Sequence, residues 1–316
     1  MARVLVTRRL PDGGLDPLVA AGHEIVQRPD DVPFTKAELC AAVADVDAVL
    51  CLLTDKIDAD VLDAGAGGGL RVVANVAVGY DNIDVAAAHA RGIAVTNTPG
   101  VLDETTADLA FVLILGAARL ASDAERDLRS GVWDGWEITE YLGVDVHGAT
   151  LGLVGFGRIG QAVARRATGF GMQVVHHTRH DTGIPGWTDD LDGLLATSDF
   201  VSLHTPLTDA TRHLIDARRL ALMKPTAVLV NTARGPVVDE AALADALHDG
   251  RLFAAGIDVY EREPEVHPRL LSAPRAMLLP HLGSASVGTR TRMAHLACTG
   301  AIAVLAGDTP PNLVHP

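Results

Sequence analysis

The sequence predicts an α/β protein with two doubly wound parallel-sheet lobes around a cleft. Short, apolar, β-branched runs alternate with helical patterns along most of the 316 residues, and this alternation is typical of parallel strands connected by helices. A glycine-rich turn at residues 155–160 opens a second such series. The chain is also long enough for two domains with substantial cores.

The composition limits the possible function classes. Apolar residues make up 48% of the chain and aromatic residues 4%, so aliphatic side chains must fill the core, and disorder is not expected. The formal net charge of -14 argues against a nucleic-acid-binding surface, which would need a basic patch. Any anionic substrate must therefore be met by local positive groups.

The cysteines and the apolar segments indicate the cellular compartment in which the protein is expected. Three cysteines without a C-x-x-C pair favour a reducing compartment and indicate no metal site. The N-terminus has the pattern of a strand, not of a signal peptide. The most apolar stretch, residues 109–118, is shorter than the roughly 20 residues of a membrane span. We therefore expect a soluble, cytoplasmic protein without membrane contact.

The first lobe is predicted to contain five strands and four helices. Thr98-Pro99-Gly100 ends this series, as proline and glycine do at boundaries. The predicted strands are residues 4–7, 24–27, 48–52, 72–75 and 94–97, and the predicted helices are residues 15–21, 36–43, 58–64 and 85–91.

A helix at residues 103–120 is predicted to follow, with Asp103 and Glu104 at its N-terminal end, where the helix dipole favours acidic side chains. Residues 109–115 are apolar on all sides and must be covered on all sides, by a deep core or by a second subunit. We predict a homodimer that buries this helix and an irregular arm at residues 133–141.

The second lobe is predicted to contain six strands and to give way to a final helix at residues 286–306. The tail at residues 310–314 has no sheet of its own and is expected to return to the first lobe. The first lobe thus comprises residues 1–98, completed by 285–316, and the second comprises residues 99–284. Its predicted strands are residues 151–154, 173–177, 200–203, 227–231, 254–257 and 277–279.

The turn at residues 155–160 has the spacing of a dinucleotide-binding motif, G-x-G-x-x-G, between a strand and a helix. Gly155 permits the tight turn, Gly157 lets the backbone approach a pyrophosphate, and Gly160 lets the helix lie close to the strand. The helix N-terminus offers unpaired N–H groups to the phosphates. An ordinary glycine turn is the alternative, but the flanking elements favour the functional interpretation.

The end of the next strand bears on the choice of cofactor. NAD enzymes usually carry an acidic residue there that binds the adenosine ribose, but Thr178 and Arg179 stand at this point and no carboxylate appears before Asp181. A 2′-phosphate would meet a hydroxyl and a guanidinium. We expect NADP(H) to be preferred, with NAD(H) possible.

Three segments at the ends of later strands carry Arg234, Glu263 and His281, at the edge where ligands of α/β sheets bind. Arginine can donate two parallel hydrogen bonds to a carboxylate, histidine exchanges protons near neutral pH, and a glutamate can fix the histidine tautomer. Each residue alone has a structural explanation: a surface ion pair, a solvated charge or a capping histidine. Together they supply what the reduction of a 2-oxo acid requires.

The sequence resembles the D-2-hydroxyacid dehydrogenase family, and within it the glyoxylate/hydroxypyruvate reductases. The resemblance covers nearly the whole chain and implies a Rossmann coenzyme lobe and a flavodoxin-like substrate lobe. The similar motifs are residues 75–84, 97–100, 155–160 and 231–235, Asp258-Val259 with Glu263-Pro264, and residues 280–283.

The resemblance implies a role for each matching residue. Arg234 would bind the substrate, Glu263 would orient His281, and His281 would be the acid/base. Backbone at Val78 and Gly79 would hold the carboxylate of a small anionic 2-oxo or 2-hydroxy acid. The implied cofactor contacts are Gly155, Gly157, Arg158, Ile159, Gly160, Thr178, Arg179, Thr205, Pro206, Thr232, Asp258 and Gly283.

One departure and three alternatives remain open. The related reductases often place an aromatic or bulky apolar residue about where Glu140 falls, lining the pocket of a neighbouring subunit, and Trp136 or Tyr141 are candidates to replace it. Phosphoglycerate dehydrogenase is less expected, since many members carry a further regulatory domain. Formate dehydrogenase is disfavoured because Glu263 stands where glutamine is expected. A non-catalytic, dinucleotide-sensing protein similar to the C-terminal-binding corepressors would retain the same three residues.

Overall fold

The computed structural model describes residues 1–316 and divides the chain into two compact units. Unit 1 consists of Met1–Leu102 and Ser284–Pro316, and unit 2 consists of Asp103–Gly283. Each unit contains one parallel sheet with helices. The predicted α/β fold class is confirmed.

The sheet of unit 1 has five strands in the order β2-β1-β3-β4-β5, which is the flavodoxin-like order. The two neighbouring strands β3 and β4 are buried along their whole length, because helices cover both faces of a parallel sheet. The strands are β1 (Arg3–Val6), β2 (Glu24–Gln27), β3 (Ala48–Cys51), β4 (Val72–Asn75) and β5 (Ala94–Thr96).

Side chains at the helix starts explain where the helices of unit 1 begin. Thr35 and Glu38 form a reciprocal capping box, which satisfies two otherwise unpaired N–H groups. Asp58 and Asp84 each cap one of the next two helices by accepting from a backbone N–H of its first turn. The helices are α1 (Asp16–Ala20), α2 (Lys36–Val43), α3 (Ala59–Gly68), α4 (Val85–Ala90) and, at the C-terminal end, α12 (Val287–Ala306).

The C-terminal tail pairs with β5. Leu313 forms an antiparallel bridge with Thr96, and the N–H of Val314 donates to the carbonyl of Val95 at 2.8 Å. The tail therefore adds its backbone hydrogen bonds to the edge of the sheet of unit 1.

The sheet of unit 2 has seven parallel strands in the order β12-β11-β10-β9-β6-β7-β8. The chain order reverses at β6, which lies between β7 and β9, and such a switch point is where α/β sheets bind ligands. The strands are β6 (Thr150–Val154), β7 (Gln173–His177), β8 (Trp187–Thr188), β9 (Phe200–Leu203), β10 (Val228–Asn231), β11 (Ala254–Ile257) and β12 (Ala276–Leu278).

The helices of unit 2 include the apolar helix that the sequence predicted. They are α5 (Asp103–Ala118), α6 (Ala121–Ser130), α7 (Arg158–Thr168), α8 (Leu191–Thr197), α9 (Ala217–Leu220), α10 (Glu240–His248) and α11 (Pro268–Leu271). Helix α5 ends two residues before the predicted end, and Leu120 adopts φ +52° before α6 begins.

Helix α5 is covered mainly by its own unit, and its burial by a second subunit stays a prediction. Nine of its 16 residues are buried, and it packs on α7, β10 and β11. A Cβ atom on Gly256 of β11 would lie 2.8 Å from the Cβ of Leu113, so the contact requires glycine. Val112, 47% exposed, lies on the side that remains open.

No individual helix is both long enough and apolar enough to cross a membrane. Helices α5 and α6 reach the length and apolar character of a membrane span only together, as a pair bent by 66°.

Candidate active site

Each of the three glycines in the turn after β6 is glycine for its own physical reason. Gly155 has φ +94°, and a Cβ on it would lie 2.5 Å from the carbonyl oxygen of His204. A Cβ on Gly160 would lie 2.5 Å from the carbonyl oxygen of Gly155, whereas the corresponding position on Gly157 has no atom within 4 Å. The first and third glycines are therefore required by the fold, and the second leaves the backbone accessible.

Helix α7 begins directly after this turn. Gly157 is its N-cap residue and provides no side-chain cap, so the N–H groups of the first turn, including Arg158 and Ile159, are available to an anion. The open side of Gly157 and these N–H groups form a cradle that fits a pyrophosphate, as a nicotinamide dinucleotide contains.

Two further loops end at the same edge of the sheet. Thr205 and Pro206 follow β9, and Thr232 follows β10. The hydroxyl of Thr232 is buried without a hydrogen-bond partner, which is unusual for a protein interior and common where a ligand completes the site. The residues at this edge thus fit the dinucleotide that the sequence predicted.

The loop after β7 gives different roles to its two candidate residues. The Thr178 hydroxyl donates to the carbonyl of His180 at 2.6 Å and accepts from Nε1 of Trp187 at 3.0 Å, so it is already engaged within the loop. Arg179 is exposed and has no ion-pair partner. Asp181 accepts from the N–H of Gly183 at 2.8 Å. Arg179 is therefore the group of this loop that is available to a phosphate.

Arg234 lies in a tightly specified loop after β10. The buried amide side chain of Asn231 donates to the carbonyl of Arg234 at 3.0 Å and accepts from the N–H of Ala233 at 3.0 Å. A Cβ on Gly235 would lie 1.9 Å from the carbonyl carbon of Tyr260, so only glycine fits there. These contacts fix the backbone from which the Arg234 side chain extends.

Glu263 and His281 form a hydrogen-bonded pair. Nδ1 of His281 lies 2.7 Å from Oε2 of Glu263, and Oε1 of Glu263 accepts from the N–H of Tyr260 at 3.0 Å. An ionised carboxylate only accepts, so Nδ1 carries the proton and Nε2 is left for other chemistry. Both oxygens of Glu263 are engaged, and the imidazole is held in one orientation.

The carboxyl of Glu263 is ionised at neutral pH. Burial raises its pKa, but the hydrogen bond and charge of His281, the N–H of Tyr260 and the charge of Arg234 outweigh burial. The pKa of Glu263 is therefore below its ordinary value, and the carboxylate can stabilise a positive charge on its partner.

The His281 turn is anchored by Asp258. His281 has φ +55°, in the left-handed region, and its N–H donates to the carbonyl of Asp258 at 2.9 Å. The Asp258 carboxylate accepts from the N–H groups of Leu282 at 2.6 Å and Gly283 at 2.9 Å. Burial raises the pKa of Asp258 to about 6, although these two N–H groups and His281 oppose the rise.

The structure brings the three predicted catalytic side chains to one edge of the sheet of unit 2. Arg234 follows β10, Glu263 follows β11, and His281 follows β12, and these three strands are neighbours. The predicted carboxylate-binding residues, Val78 and Gly79, lie in the loop after β4 of unit 1. The edge in unit 2 combines a cation suited to an anionic group with a proton donor that is fixed by a carboxylate.

Sequence reasoning missed the supporting roles of three residues. Asn231 shapes the Arg234 loop, Tyr260 holds Glu263 through its N–H, and Asp258 holds the turn of His281. The signal available in the sequence was their position, at or just after the end of a buried strand. Their hydrogen-bond partners are 2 to 25 residues away, and only the folded chain identifies them.

Comparison with known proteins gives consistent relatives. The sequence model of "D-isomer specific 2-hydroxyacid dehydrogenase, NAD binding domain" matches residues 111–283. A glyoxylate reductase of Korarchaeum cryptofilum is 49% identical over 99% of this chain and 96% of its own.

Solved structures of similar proteins have the same fold over nearly the whole chain. A Thermus thermophilus protein has a TM-score of 0.92 at 46% identity, covering 99% of this chain and 100% of that one. The NADPH-dependent glyoxylate/hydroxypyruvate reductase of Sinorhizobium meliloti, in complex with NADP and malonate, has a TM-score of 0.87 at 37% identity, covering 99% and 96%. With its glycine cradle and its Arg234, Glu263 and His281 at one sheet edge, the chain belongs to the D-isomer specific 2-hydroxyacid dehydrogenase family.

Proposed function

We propose that the protein reduces glyoxylate, hydroxypyruvate or a similar small 2-oxo acid to the D-2-hydroxy acid, with NADPH as the preferred cofactor. The observation that carries this proposal is the Glu263–His281 pair at 2.7 Å, next to the loop of Arg234. The glyoxylate reductases among the relatives support the substrate class. The test is a panel of 2-oxo acids, each assayed with NADPH and with NADH. A protein that reduces none of them at an enzymatic rate would instead fit the dinucleotide-sensing alternative.

The proposed mechanism assigns one task to each side chain. The dinucleotide, when bound, supplies the hydride that reduces the carbonyl carbon. Nε2 of His281, in the imidazolium form, donates its proton to the carbonyl oxygen. Arg234 binds the substrate carboxylate and polarises the carbonyl oxygen. The N–H groups near Val78 and Gly79 hold the other side of the carboxylate, and Glu263 keeps the imidazole oriented.

Arg179→Ala is expected to raise the KM for NADPH far more than the KM for NADH, because only NADPH has a 2′-phosphate for the guanidinium to bind. In the parent protein, kcat/KM should be higher with NADPH. Steady-state kinetics with both cofactors measure this, and His180→Ala, in the same exposed loop, is the matched control. Equal or better efficiency of the parent protein with NADH would contradict the assignment.

Glu263→Gln is expected to shift the pH optimum of reduction downward. The Glu263 carboxylate, whose pKa is lowered, favours the charged imidazolium, and a neutral amide does not. Since reduction requires the protonated imidazole, the alkaline limb of the kcat/KM profile should move to lower pH. A profile identical to that of the parent protein would show that Glu263 does not act through the charge of His281.

Light scattering at micromolar concentration is expected to show a homodimer. The arm carries Trp136 and Ile138 at 79% and 75% exposure, and Leu142 directly after it is 64% exposed. Large apolar side chains exposed close together in this way are typical of protein interfaces. The Tyr141 hydroxyl is engaged with Asp127 at 3.1 Å, which leaves Trp136 as the better candidate to replace the bulky residue expected near Glu140. An Ile138→Asp/Leu142→Asp variant should dissociate, and a monomeric parent protein would contradict the proposal.

A further inference from the structure

Two asparagine side chains hold the loop after β4 by hydrogen bonds to its backbone carbonyls. Nδ2 of Asn97 donates to the carbonyl of Val78 at 2.8 Å. Nδ2 of Asn75 donates to the carbonyl of Gly79 at 2.8 Å. Asn75 ends β4, and Asn97 directly follows the neighbouring strand β5. Two successive peptide groups of this loop are therefore each fixed by a side chain from the end of a strand.

This arrangement sets the direction of the next two N–H groups. Both peptide bonds are trans, so the N–H of Gly79 points opposite to the carbonyl of Val78, and the N–H of Tyr80 points opposite to the carbonyl of Gly79. Neither N–H has a backbone acceptor in the protein. Each therefore points away from the asparagine that holds the preceding carbonyl and remains available to an anion.

The two asparagines are themselves held in place. Asn312 of the C-terminal tail donates from Nδ2 to the carbonyl of Asn97 at 2.6 Å, and its own carbonyl accepts from the N–H of Asn97 at 3.3 Å. Nδ2 of Asn75 lies 3.3 Å from Oδ1 of Asn82, whose Nδ2 donates to the carbonyls of Leu52 and Asp55. The loop is thus fixed by the strand ends and by the tail.

We propose that Asn97 and Asn75 are positioning residues that aim the N–H groups of Gly79 and Tyr80 at the substrate carboxylate. The proposal rests on the proposed function, which places the carboxylate at this loop. The asparagines do not touch the substrate; they preorganise two donors that would otherwise rotate. Fixed N–H groups bind an anion without the cost of ordering the loop on each binding event.

Asn97→Ala is expected to raise the KM for glyoxylate, and the Kd of oxalate in the presence of saturating NADPH, by about tenfold, roughly the loss of one well-placed hydrogen bond to a charged group. The Kd of NADPH should not change. Asn97→Asp should raise both constants further, since a carboxylate cannot donate to the Val78 carbonyl and repels an anion. Asn312→Ala, which keeps the Asn97 side chain but loosens its backbone, should give a smaller rise of about threefold.

Val49→Ala is the matched control, because Val49 is buried in β3 of the same sheet and its side chain has no hydrogen-bonding group. It should lower the melting temperature and leave the oxalate Kd unchanged, which separates positioning from general destabilisation. Folded Asn97 and Asn312 variants that bind oxalate and glyoxylate as the parent does would overturn this inference while the proposed function stands. A parent protein that neither binds oxalate nor reduces any 2-oxo acid would overturn both.

Discussion

His281→Ala is expected to lower kcat for the reduction of glyoxylate by about 10²–10⁴-fold, the usual contribution of a general acid. In the proposed mechanism His281 donates the proton that neutralises the developing alkoxide. Glu263 has no other side-chain hydrogen-bond partner at this edge that could take over as the acid. The Kd of NADPH should remain unchanged, because the imidazole is not among the groups proposed to hold the dinucleotide. Single-turnover kinetics and fluorescence titration with NADPH measure the two effects separately.

His248→Ala is the control for this experiment. His248 lies at the C-terminal end of α10, where its Nε2 is 2.9 Å from the carbonyl of Arg269, and its removal should leave kcat unaltered. If His281→Ala reduces glyoxylate and hydroxypyruvate as fast as the parent protein, His281 is not the acid.

Arg234→Ala is expected to raise KM and to lower kcat together, with a loss in kcat/KM of about 10²–10⁴-fold. The guanidinium is proposed to bind the carboxylate in the ground state and to polarise the carbonyl oxygen in the transition state. A residue that contributes to both states affects both constants. Steady-state kinetics across a wide range of glyoxylate concentration separate the two effects.

Arg234→Lys distinguishes charge from geometry. Lysine keeps the positive charge but cannot donate two parallel hydrogen bonds, so it should recover part of the KM and little of the kcat. Arg251→Ala, which removes an exposed arginine paired with Asp249, is the control. An unchanged KM in Arg234→Ala would mean that the carboxylate binds elsewhere.

The strands could be predicted closely because buried parallel strands are short apolar runs between turn residues. Residues 24–27 and 72–75 were predicted as they stand in β2 and β4. Strand β8 was missed because two residues, Trp187 and Thr188, give no periodicity to detect. Helix α6 was missed because the break before it depends on the left-handed backbone of Leu120. A leucine in the sequence does not indicate that conformation.

The site could be predicted as a set of residues but not as a geometry. Strand ends placed Arg234, Glu263 and His281 at one sheet edge, because the carboxyl ends of parallel strands share an edge. The sequence could not show that Asp258 holds the turn that carries His281, or that the Thr178 hydroxyl is already engaged by Trp187. Both facts depend on hydrogen bonds between segments that meet only in the folded chain.

At position 281 the left-handed backbone favours glycine for stability, whereas the proposed chemistry requires histidine. A residue with a Cβ pays about 1–2 kcal/mol for that conformation, and glycine does not. Glycine at position 281 would therefore relax the turn and at the same time remove the proposed acid. Variants of this protein selected for melting temperature alone would be drawn toward that substitution, so any effort to make the protein more heat-resistant has to screen turnover in parallel.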